Sequence, residues 1–292
     1  MQNRLISPHV DTLLERALPE GGFAAKLGGN YRPDATAWAI LALSAAGTKA
    51  DHLESSRARL VNSQLSDGRV CVSPEHPDAF WPTPLAVLAW QGSRSQLGPQ
   101  SRAIEFLLNA TGRHWQRQAD APVAHNTGLQ GWPWIANTHS WVEPTALSLT
   151  ALQIAGYGKH KRAQEATRML MDRQLNQGGW NYGNTIVFGQ QLRPMPENTG
   201  MALNALAGRV TEERVKRSLT YLRSQAKYLR TPLSLGWSLV GMGAWGKRPD
   251  NSQRRILESL ALQEIYGIYD TPLLGLLVVC FFSSGGLSSI FT

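Results

Sequence analysis

One phrase recurs six times along the chain: a threonine, often followed by proline, opens an apolar run rich in small residues. The copies are DATAWAILALSAAG (34–47), WPTPLAVLAWQG (81–92), EPTALSLTALQIAG (143–156), ENTGMALNALAG (197–208), RTPLSLGWSLVGMG (230–243) and DTPLLGLLVVCFF (270–282). Runs that are apolar nearly all round predict buried helices whose backbones approach closely. A unit repeated in this way must bury its faces against its neighbours, so it constrains the whole fold.

The sequence also predicts where these helices begin and end. A threonine hydroxyl can accept a hydrogen bond from a free amide of the first helical turn, and a following proline lacks an amide that would need one. The predicted N-caps are Thr36, Thr83, Thr145, Thr199, Thr231 and Thr271. The predicted C-terminal glycines are Gly47, Gly92, Gly156 and Gly208, because glycine is common just past a helix end.

An amphipathic stretch with charges on one side precedes each apolar helix, at 8–18, 51–65, 98–110, 159–175, 211–227 and 251–266. Six pairs of helices can close into a ring with the apolar helices inside. We therefore predict an all-α fold in which residues 1–292 form one α/α toroid, an α6–α6 barrel of six helical hairpins. An open solenoid is the alternative.

Composition narrows the class of protein. The net charge of +8 is spread over the outer faces of the amphipathic stretches, and the chain lacks the zinc-finger or RNA-binding motifs that would indicate nucleic acid. The two cysteines, Cys71 and Cys280, form neither a disulfide framework nor a zinc ribbon. The longest apolar run, 272–282, is too short to span a bilayer. We expect a cytoplasmic protein, with contact at the inner membrane surface left open.

One turn carries a resemblance to a known superfamily. In QLNQGGWNYGN (174–184), Gln174, Gly178 and Trp180 form a Q-x3-G-x-W pattern. It resembles the QW motif of the terpenoid cyclase and protein prenyltransferase superfamily, which contains the prenyltransferase and squalene oxidase repeat and has the α/α toroid fold. Weaker copies are QLSDGRV (64–70), PEGGF (19–23) and LQGWPW (129–134).

The resemblance implies a structural role for Gln174, Gly178, Gly179 and Trp180. In that superfamily the Gln fixes the end of an outer helix to neighbouring backbone, the Trp packs against it, and the glycines allow positive φ. Tyr182 and Asn184, further towards the next inner helix, are the better candidates to face a cavity.

The longest connection leads to the predicted site. HNTGLQGWPWIANTHSWVEPTAL (125–147) ends on an inner helix, and its stretch 141–146 resembles the D-x-D-D-T-A motif of class II terpenoid cyclases. Glu143 falls on the middle acid, which in those enzymes protonates an alkene or epoxide, while Trp141 and Pro144 replace the flanking acids. The catalytic candidates are Glu143 and His139, which lies four residues earlier and could form a hydrogen bond with it. The alternative role of Glu143 is structural, since a carboxylate near a helix N-terminus is stabilising without any catalysis. The predicted substrate-binding residues are Trp81, Trp132, Trp134, Trp141, Tyr182 and Asn184, because indole faces stabilise cations and line apolar pockets.

Three functions remain open. The first is a terpenoid cyclase-like protein that holds a polyprenyl or other isoprenoid ligand in the barrel, with Glu143 as the acid for cyclisation or isomerisation. The second is a non-catalytic toroid that binds a lipid, peptide or partner protein. The third is a glycan-active α/α barrel, which would pair Asp34 with Glu143 or Glu197.

No metal or other cofactor is predicted. The catalytic zinc of the prenyltransferases has its nearest counterpart in Asp67, Cys71 and His76, whose spacing does not fit. The last residues, 283–292, are expected either to form a loose tail or to close the ring against the first outer helix.

Overall fold

The computed structural model describes residues 2–116 and 121–292, and these form two concentric layers of helices. The inner layer consists of the apolar helices that the recurring phrase predicts. They are α2 (Pro33–Ala45), α4 (Pro82–Ala89), α6 (Val142–Ile154), α8 (Pro196–Leu206), α10 (Pro232–Gly243) and α13 (Thr271–Phe282). Most of their residues are buried, as their all-round apolar character requires.

The outer layer consists of the amphipathic helices, which turn their charged sides outwards. They are α1 (Gln2–Leu14), α3 (Glu54–Val61), α5 (Leu97–Asn109), α7 (Lys161–Asp172), α9 (Glu212–Ala226) and α11 (Ser252–Ala261). The smaller elements are the helix α12 (Gln263–Tyr266), two 3₁₀ helices (Ala50–Leu53 and Leu287–Ile290) and a hairpin of β1 (Ile186–Val187) and β2 (Gln190–Gln191). The predicted all-α class and the alternation of inner and outer helices are confirmed.

The ring is closed. Each inner helix packs against the next one along the chain, and α13 packs against α2. Between α8 and α10 the backbones touch, since a Cβ atom at Gly200 would lie 2.1 Å from the carbonyl oxygen of Trp237. The predicted toroid is therefore confirmed, and the open solenoid is wrong.

The two ends of the chain complete the ring together. Arg16, just after α1, donates to the carbonyl oxygen of Tyr269 at 2.9 Å and to the hydroxyl of Thr271 at 3.2 Å. The amide of Thr271 donates to the carbonyl oxygen of Ala25 at 2.9 Å. As a result α1 packs on α13, and the sixth hairpin combines the first and last helices of the sequence.

The predicted glycines at the C-terminal ends of the inner helices are confirmed, but most of the predicted threonine N-caps are wrong. Gly47, Gly92, Gly156 and Gly208 all have positive φ at the ends of inner helices. Thr231 does cap α10, because its hydroxyl accepts a hydrogen bond from the amide of Ser234 at 3.3 Å. The other inner threonines are not N-caps: at α13 that role belongs to Asp270, and the remaining helices begin one to three residues before their threonine.

Four of these threonines instead hold the turn that leads into their helix. Each threonine hydroxyl accepts a hydrogen bond of 2.9–3.0 Å from a backbone amide in the preceding turn. The pairs are Thr36 with Phe23, Thr83 with Val70, Thr145 with Trp132, and Thr199 with Trp180. These amides are buried in the turns that precede the inner helices, and no helix or strand supplies an acceptor for them. The recurring threonine therefore marks the junction between a turn and an inner helix.

The turn at Gln174–Trp180 ties one outer helix to the next. The side-chain amide of Gln174 donates to the hydroxyl of Ser218 at 2.8 Å and to the carbonyl oxygen of Arg214 at 3.2 Å, both on α9. Gly178 has a φ of 94°, and a Cβ there would lie 2.6 Å from the backbone of Arg217. The indole of Trp180 is fully buried and donates back to α7.

The weaker copy at Gln64–Val70 has the same geometry. The side chain of Gln64 donates to the carbonyl oxygen of Pro99 at 2.8 Å, at the start of α5. A Cβ at Gly68 would lie 2.2 Å from the carbonyl oxygen of Arg102. The two turns therefore join α3 to α5 and α7 to α9 along the outer wall.

The last residues fill one end of the barrel. Leu287 is fully buried, and its amide donates to Oδ1 of Asn204 on α8, whose Nδ2 donates to Thr150 on α6. The 3₁₀ helix Leu287–Ile290 packs on both α2 and α6, which are not neighbours in the ring. This segment, which we call the plug, is not a loose tail; it occupies the interior at the C-terminal ends of the inner helices.

Candidate functional site

A cavity of about 710 Å³ lies at the opposite end, where the inner helices begin. The connections before α6 and α8 form its walls, and residues 117–120 of the first connection lie outside the described part of the chain. The lining residues are Trp134, Trp141, Asn181, Tyr182, Asn184, Leu192, Arg193, Pro194 and Met195. We call this space the mouth cavity.

Hydrogen bonds between the two connections fix its shape. The amide of Val142 donates to the carbonyl oxygen of Tyr182 at 2.8 Å, which joins the start of α6 to the second connection. The amide of Met195 donates to the carbonyl oxygen of Trp180 at 2.8 Å. Oδ1 of Asn181 accepts the amides of Gly183 and Asn184, so the turn below Tyr182 is rigid.

The predicted binding residues fall into three positions. Trp134, Trp141, Tyr182 and Asn184 line the mouth cavity. Trp81 does not line the cavity but packs edge-on against Trp134, with 6.4 Å between the two ring centroids.

Trp132 is placed differently from the other tryptophans. Its side chain is 1% exposed, its indole donates to the carbonyl oxygen of Leu107 at 3.0 Å, and the guanidinium of Arg162 lies 4.2 Å from the ring. Its position repeats that of Trp180 one hairpin earlier. Trp132 therefore packs in the core beneath the turn and does not line the mouth cavity.

Sequence reasoning missed much of the far wall. Leu192, Pro194 and Met195 reach the cavity only because the β1–β2 hairpin folds the chain back before α8. Asn181 directly follows Trp180 and could have been found from that adjacency. The apolar cluster before α8 carried a weak signal, since proline and methionine in a long loop are unusual for a solvent-exposed segment.

Glu143 lies in the first turn of α6 beside this cavity, but its side chain is not part of the wall. The carboxyl is half-buried and makes no hydrogen bond or ion pair with any residue that the structure describes. Burial, and secondly the nearby carboxylate of Glu197, raise the pKa of Glu143 to about 8. At neutral pH the group therefore carries its proton.

His139 does not assist Glu143 in the expected way. Its ring lies between two indoles, with its centroid 4.7 Å from Trp115 and 6.2 Å from Trp141. The expected hydrogen bond to Glu143 does not form, because the aromatic packing holds the imidazole on the other side of Trp141.

The other acids of the rim divide into two groups. Asp34 is held by Arg32 through two hydrogen bonds of 2.9 and 2.6 Å, so it is already paired. Glu197 accepts a hydrogen bond from Ser234 at 2.7 Å and is close enough to Glu143 to affect its pKa. Glu143 and Glu197 form the carboxyl pair of this site, and Asp34 is not part of it.

Within residues 2–116 and 121–292, no group of three or more His, Cys, Asp or Glu side chains has the geometry to hold a metal ion. In the same part of the chain, no helix is both long enough and apolar enough to cross a bilayer.

Comparison with known proteins establishes the fold. No known family model matches this chain, and no curated protein resembles it in sequence. Its structure is similar to that of a type II terpene cyclase from Scytonema, solved with geranylgeranyl dihydroxybenzoate, at 14% identity and a TM-score of 0.61 over 99% of this chain and 97% of that one. This supports the resemblance drawn from the turn at Gln174–Trp180: the chain has a terpenoid cyclase-like α/α toroid fold.

Other proteins share the same architecture. An α-1,6-mannanase from Salegentibacter has 12% identity and a TM-score of 0.62, covering 97% of this chain and 98% of its own. A protein from Actinoplanes has 15% identity and a TM-score of 0.63 over the full length of both chains. The fold is thus that of toroid enzymes with different activities, and function must be argued from the site.

Proposed function

Starting from a fold shared with type II terpene cyclases, we propose that this protein binds an isoprenoid-like apolar molecule in the mouth cavity. The observation that carries the proposal is the wall itself: two indoles, a phenol and apolar side chains around about 710 Å³. That volume is in the usual range for small-molecule sites, which are mostly apolar with a few polar groups. The polar groups available here are the amides of Asn181 and Asn184 and the guanidinium of Arg193.

The state of Glu143 favours binding over protonation-initiated cyclisation. Protonation of an alkene requires an unusually strong acid, whereas a pKa of about 8 makes this carboxyl a weak one. A neutral carboxyl is also the form that tolerates an apolar neighbour, because it brings no buried charge. We therefore do not assign Glu143 the role of an acid that initiates cyclisation.

Binding can be measured through tryptophan fluorescence during titration with farnesol and geranylgeraniol. Replacing Trp141→Ala removes an indole from the wall, and we expect the affinity to fall at least about tenfold, since a buried aromatic contributes roughly 1.5–3 kcal/mol. The matched control is Trp245→Ala, whose indole donates to Leu203 at the far end of the ring. Absence of saturable binding by the unmodified protein, or equal losses in the two variants, would refute the proposal.

A second candidate function rests on the carboxyl pair. Glu143 and Glu197 lie on adjacent inner helices, and glycoside hydrolysis uses two carboxyl groups, one of which has a raised pKa. Release of reducing sugar from an α-1,6-mannan, abolished by both Glu143→Gln and Glu197→Gln, would favour this function. The apolar cavity wall argues against it, and under the leading proposal no sugar is released.

We further propose that the mouth meets a lipid surface. Large exposed hydrophobic side chains are concentrated on the loops of this rim. They are Leu27, Trp115, Ile135, Tyr182, Phe188, Tyr228, Ile265, Tyr266 and Ile268. With a net charge of +8, the protein should bind vesicles that contain anionic lipid.

Vesicle co-sedimentation tests the lipid proposal. The double variant Phe188→Ser, Tyr266→Ser should bind less than the unmodified protein, because both side chains are strongly exposed on the mouth rim. The control is Leu97→Ser, Tyr157→Ser, which alters exposed side chains at the opposite end. Equal loss in both double variants would show that the mouth has no special affinity for lipid.

A further inference from the structure

A groove of about 290 Å³ lies on the outer wall of the toroid, where α9 and α11 end. The connection from α9 to α10 forms one side with Lys227 and Arg230, and α11 forms the other with Arg255 and Ser259. Both outer helices end at the mouth of the toroid, so the groove lies beside the rim. It shares no wall residue with the mouth cavity. We call this space the rim groove.

One hydrogen bond joins the two sides of the rim groove. Nη2 of Arg255 donates to the carbonyl oxygen of Leu229 at 2.7 Å, which ties α11 to the connection after α9. Nε of the same guanidinium lies 3.6 Å from the carboxylate of Glu258. Arg255 therefore fixes the shape of the rim groove, and Glu258 already offsets its charge.

Two other cations of the wall have no such partner. Among the residues that the structure describes, neither Lys227 nor Arg230 forms an ion pair. The ammonium group of Lys227 lies 4.8 Å from the ring centroid of Tyr228, and this is its only polar or charged contact in the described part of the chain. Glu258 is the one carboxylate that lines the groove, so an excess of two positive charges faces this space.

The hydroxyl of Ser259 is a third group without a partner. The residue is 3% exposed, and its Oγ makes no hydrogen bond with any residue that the structure describes. Its backbone carbonyl oxygen, in contrast, accepts a hydrogen bond from the hydroxyl of Tyr269 at 2.8 Å. Buried polar atoms are rarely left unpaired, so a free hydroxyl in the wall of a groove indicates a ligand that accepts from it.

Strongly exposed apolar side chains lie next to these wall residues. Tyr228, Ile265, Tyr266 and Ile268 are between 66% and 72% exposed, and Tyr266 also belongs to the wall of the groove. Cations set among exposed aromatic and aliphatic side chains are typical of a surface at the boundary between lipid head groups and acyl chains. The rim groove therefore combines a charged interior with an apolar border.

We propose that the rim groove binds the terminal phosphate of an anionic membrane lipid. Lys227 and Arg230 supply the charge, Ser259 donates from its hydroxyl, and the apolar border enters the lipid surface. Binding in this orientation turns the mouth cavity towards the bilayer. The inference rests on the part of the proposed function that brings the mouth to a lipid surface, and it adds a specific head-group site to that surface.

The charge of the rim groove selects a terminal phosphate over other head groups. A choline or ethanolamine group would place a further cation beside Lys227 and Arg230. A terminal phosphate carries about −1.5 to −2 charges at neutral pH and has three acceptor oxygens, which matches two free cations and one free hydroxyl. A phosphodiester carries one charge and leaves part of this set unpaired.

The direct test compares vesicles of phosphatidylcholine that contain either phosphatidic acid or phosphatidylserine, adjusted to the same zeta potential. Phosphatidic acid has a terminal phosphate and phosphatidylserine does not. We expect the unmodified protein to bind the vesicles with phosphatidic acid at least about fivefold more tightly, because charge-assisted hydrogen bonds add to the general attraction. The readout is the ratio of the two dissociation constants, which does not depend on the overall charge of the protein.

A double variant assigns this preference to the rim groove. Lys227→Gln, Arg230→Gln should bring the ratio to about one, because it removes both free cations of the wall. The matched control is Lys159→Gln, Lys161→Gln, which removes the same two charges from exposed positions at the far end of the toroid. It should bind both kinds of vesicle somewhat less well and keep the ratio of the unmodified protein.

Ser259→Ala separates a ligand contact from a structural role. The variant should lower the ratio by roughly twofold and leave the melting temperature unchanged or higher, since the hydroxyl has no protein partner to lose. A melting temperature that falls while the ratio stays constant would show that Ser259 supports the fold and does not contact the lipid.

The outcomes separate this site from the proposed function. Equal binding of the two kinds of vesicle, or a preference that Lys227→Gln, Arg230→Gln leaves intact, overturns the phosphate site while the lipid surface stands. Binding of glycerol 3-phosphate without vesicles, as tight as that of phosphatidic acid and lost in the same variant, would assign the groove to a soluble phosphate and overturn the lipid assignment. If neither kind of vesicle binds, the proposed lipid surface fails and the phosphate site fails with it.

Discussion

The two ends of the toroid are built differently from the same repeat. At the mouth, the connections run from outer to inner helices, reach from 110 to 141 and from 173 to 195, and enclose the mouth cavity. At the far end, which the plug fills, connections such as 155–160 and 207–211 are short and have a glycine of positive φ at their second position.

The far end of the toroid therefore stabilises the ring, and the mouth is the end that can bind a ligand. The plug fills the far end with buried contacts and satisfied hydrogen bonds, such as that from Leu287 to Asn204. The mouth instead contains the carboxyl of Glu143 and Nδ1 of His125, which make no hydrogen bond with any residue that the structure describes. Polar groups left without a partner beside a cavity are the groups that a bound ligand can satisfy.

The largest expected effect is at the plug. Leu287→Ala should lower the free energy of unfolding by about 2–5 kcal/mol, because it leaves a cavity at a fully buried site between several inner helices. Urea denaturation measures the change, and Leu97→Ala, which truncates a leucine that is 61% exposed, is the control. Similar stability of the two variants would mean that the plug is dispensable and the two ends are not so different.

The next effect is a pH dependence that only the mouth should show. The folded-state pKa of Glu143, about 8, lies above its ordinary value of 4.5, so the folded state binds the proton more tightly. Stability should therefore fall as pH rises from about 5 to 8, by at most about 1.4 kcal/mol per pH unit and less with solvent screening. Glu143→Gln should remove this slope.

Urea denaturation of both proteins at pH 5.5, 7 and 8 gives the slope. Glu213→Gln is the control, because that carboxylate is exposed and its removal should leave the slope intact. If the free energy of unfolding changes with pH equally in all three proteins, Glu143 has an ordinary pKa and does not destabilise the protein when it ionises.

A smaller effect is expected at the junctions that support the mouth. Thr199→Val removes the acceptor for the buried amide of Trp180 and should cost about 1–3 kcal/mol. Thr220→Val, on an exposed face of α9, should change stability by less than about 0.5 kcal/mol. Equal effects would mean that the inner threonines do not anchor the turns.

The smallest expected effect has the opposite sign. Phe188 has a φ of 47° at the tip of the β1–β2 hairpin and is 81% exposed. Phe188→Asn should stabilise the protein by about 1 kcal/mol, because asparagine adopts this conformation more readily. The same variant should bind vesicles less well, and a destabilised Phe188→Asn protein would instead assign this side chain to local packing.

The sequence predicted the ring and named four of the residues that line the mouth cavity. Six recurring apolar runs were enough for the inner helices, because a helix buried on all sides needs neighbours on both sides and a closed ring supplies them. Trp134, Trp141, Tyr182 and Asn184 were assigned to a cavity from their place in long loops, and they line one.

The errors arose where the chain folds back on itself. The threonines were assigned to local capping, but Thr145 and Thr199 accept amides from residues 13 and 19 positions earlier. Trp132 was assigned to a pocket because tryptophan is typical of apolar pockets. Its hydrogen bond to the carbonyl oxygen of Leu107 instead places it in the core, and the sequence does not show this contact. Sequence reasoning could not bring His125 and Arg173 together, since they come from different connections and meet only in the folded structure.

The joining of α1 to α13 has a consequence for biosynthesis. Arg16 and Thr271, which hydrogen-bond to each other, are 255 residues apart in sequence. During translation the first five inner helices can stack as they emerge, but the ring cannot shut until the final helix is released to meet the first. Until then α1 lacks α13, its main packing partner, and the nascent chain exposes apolar surface along this open side of the ring.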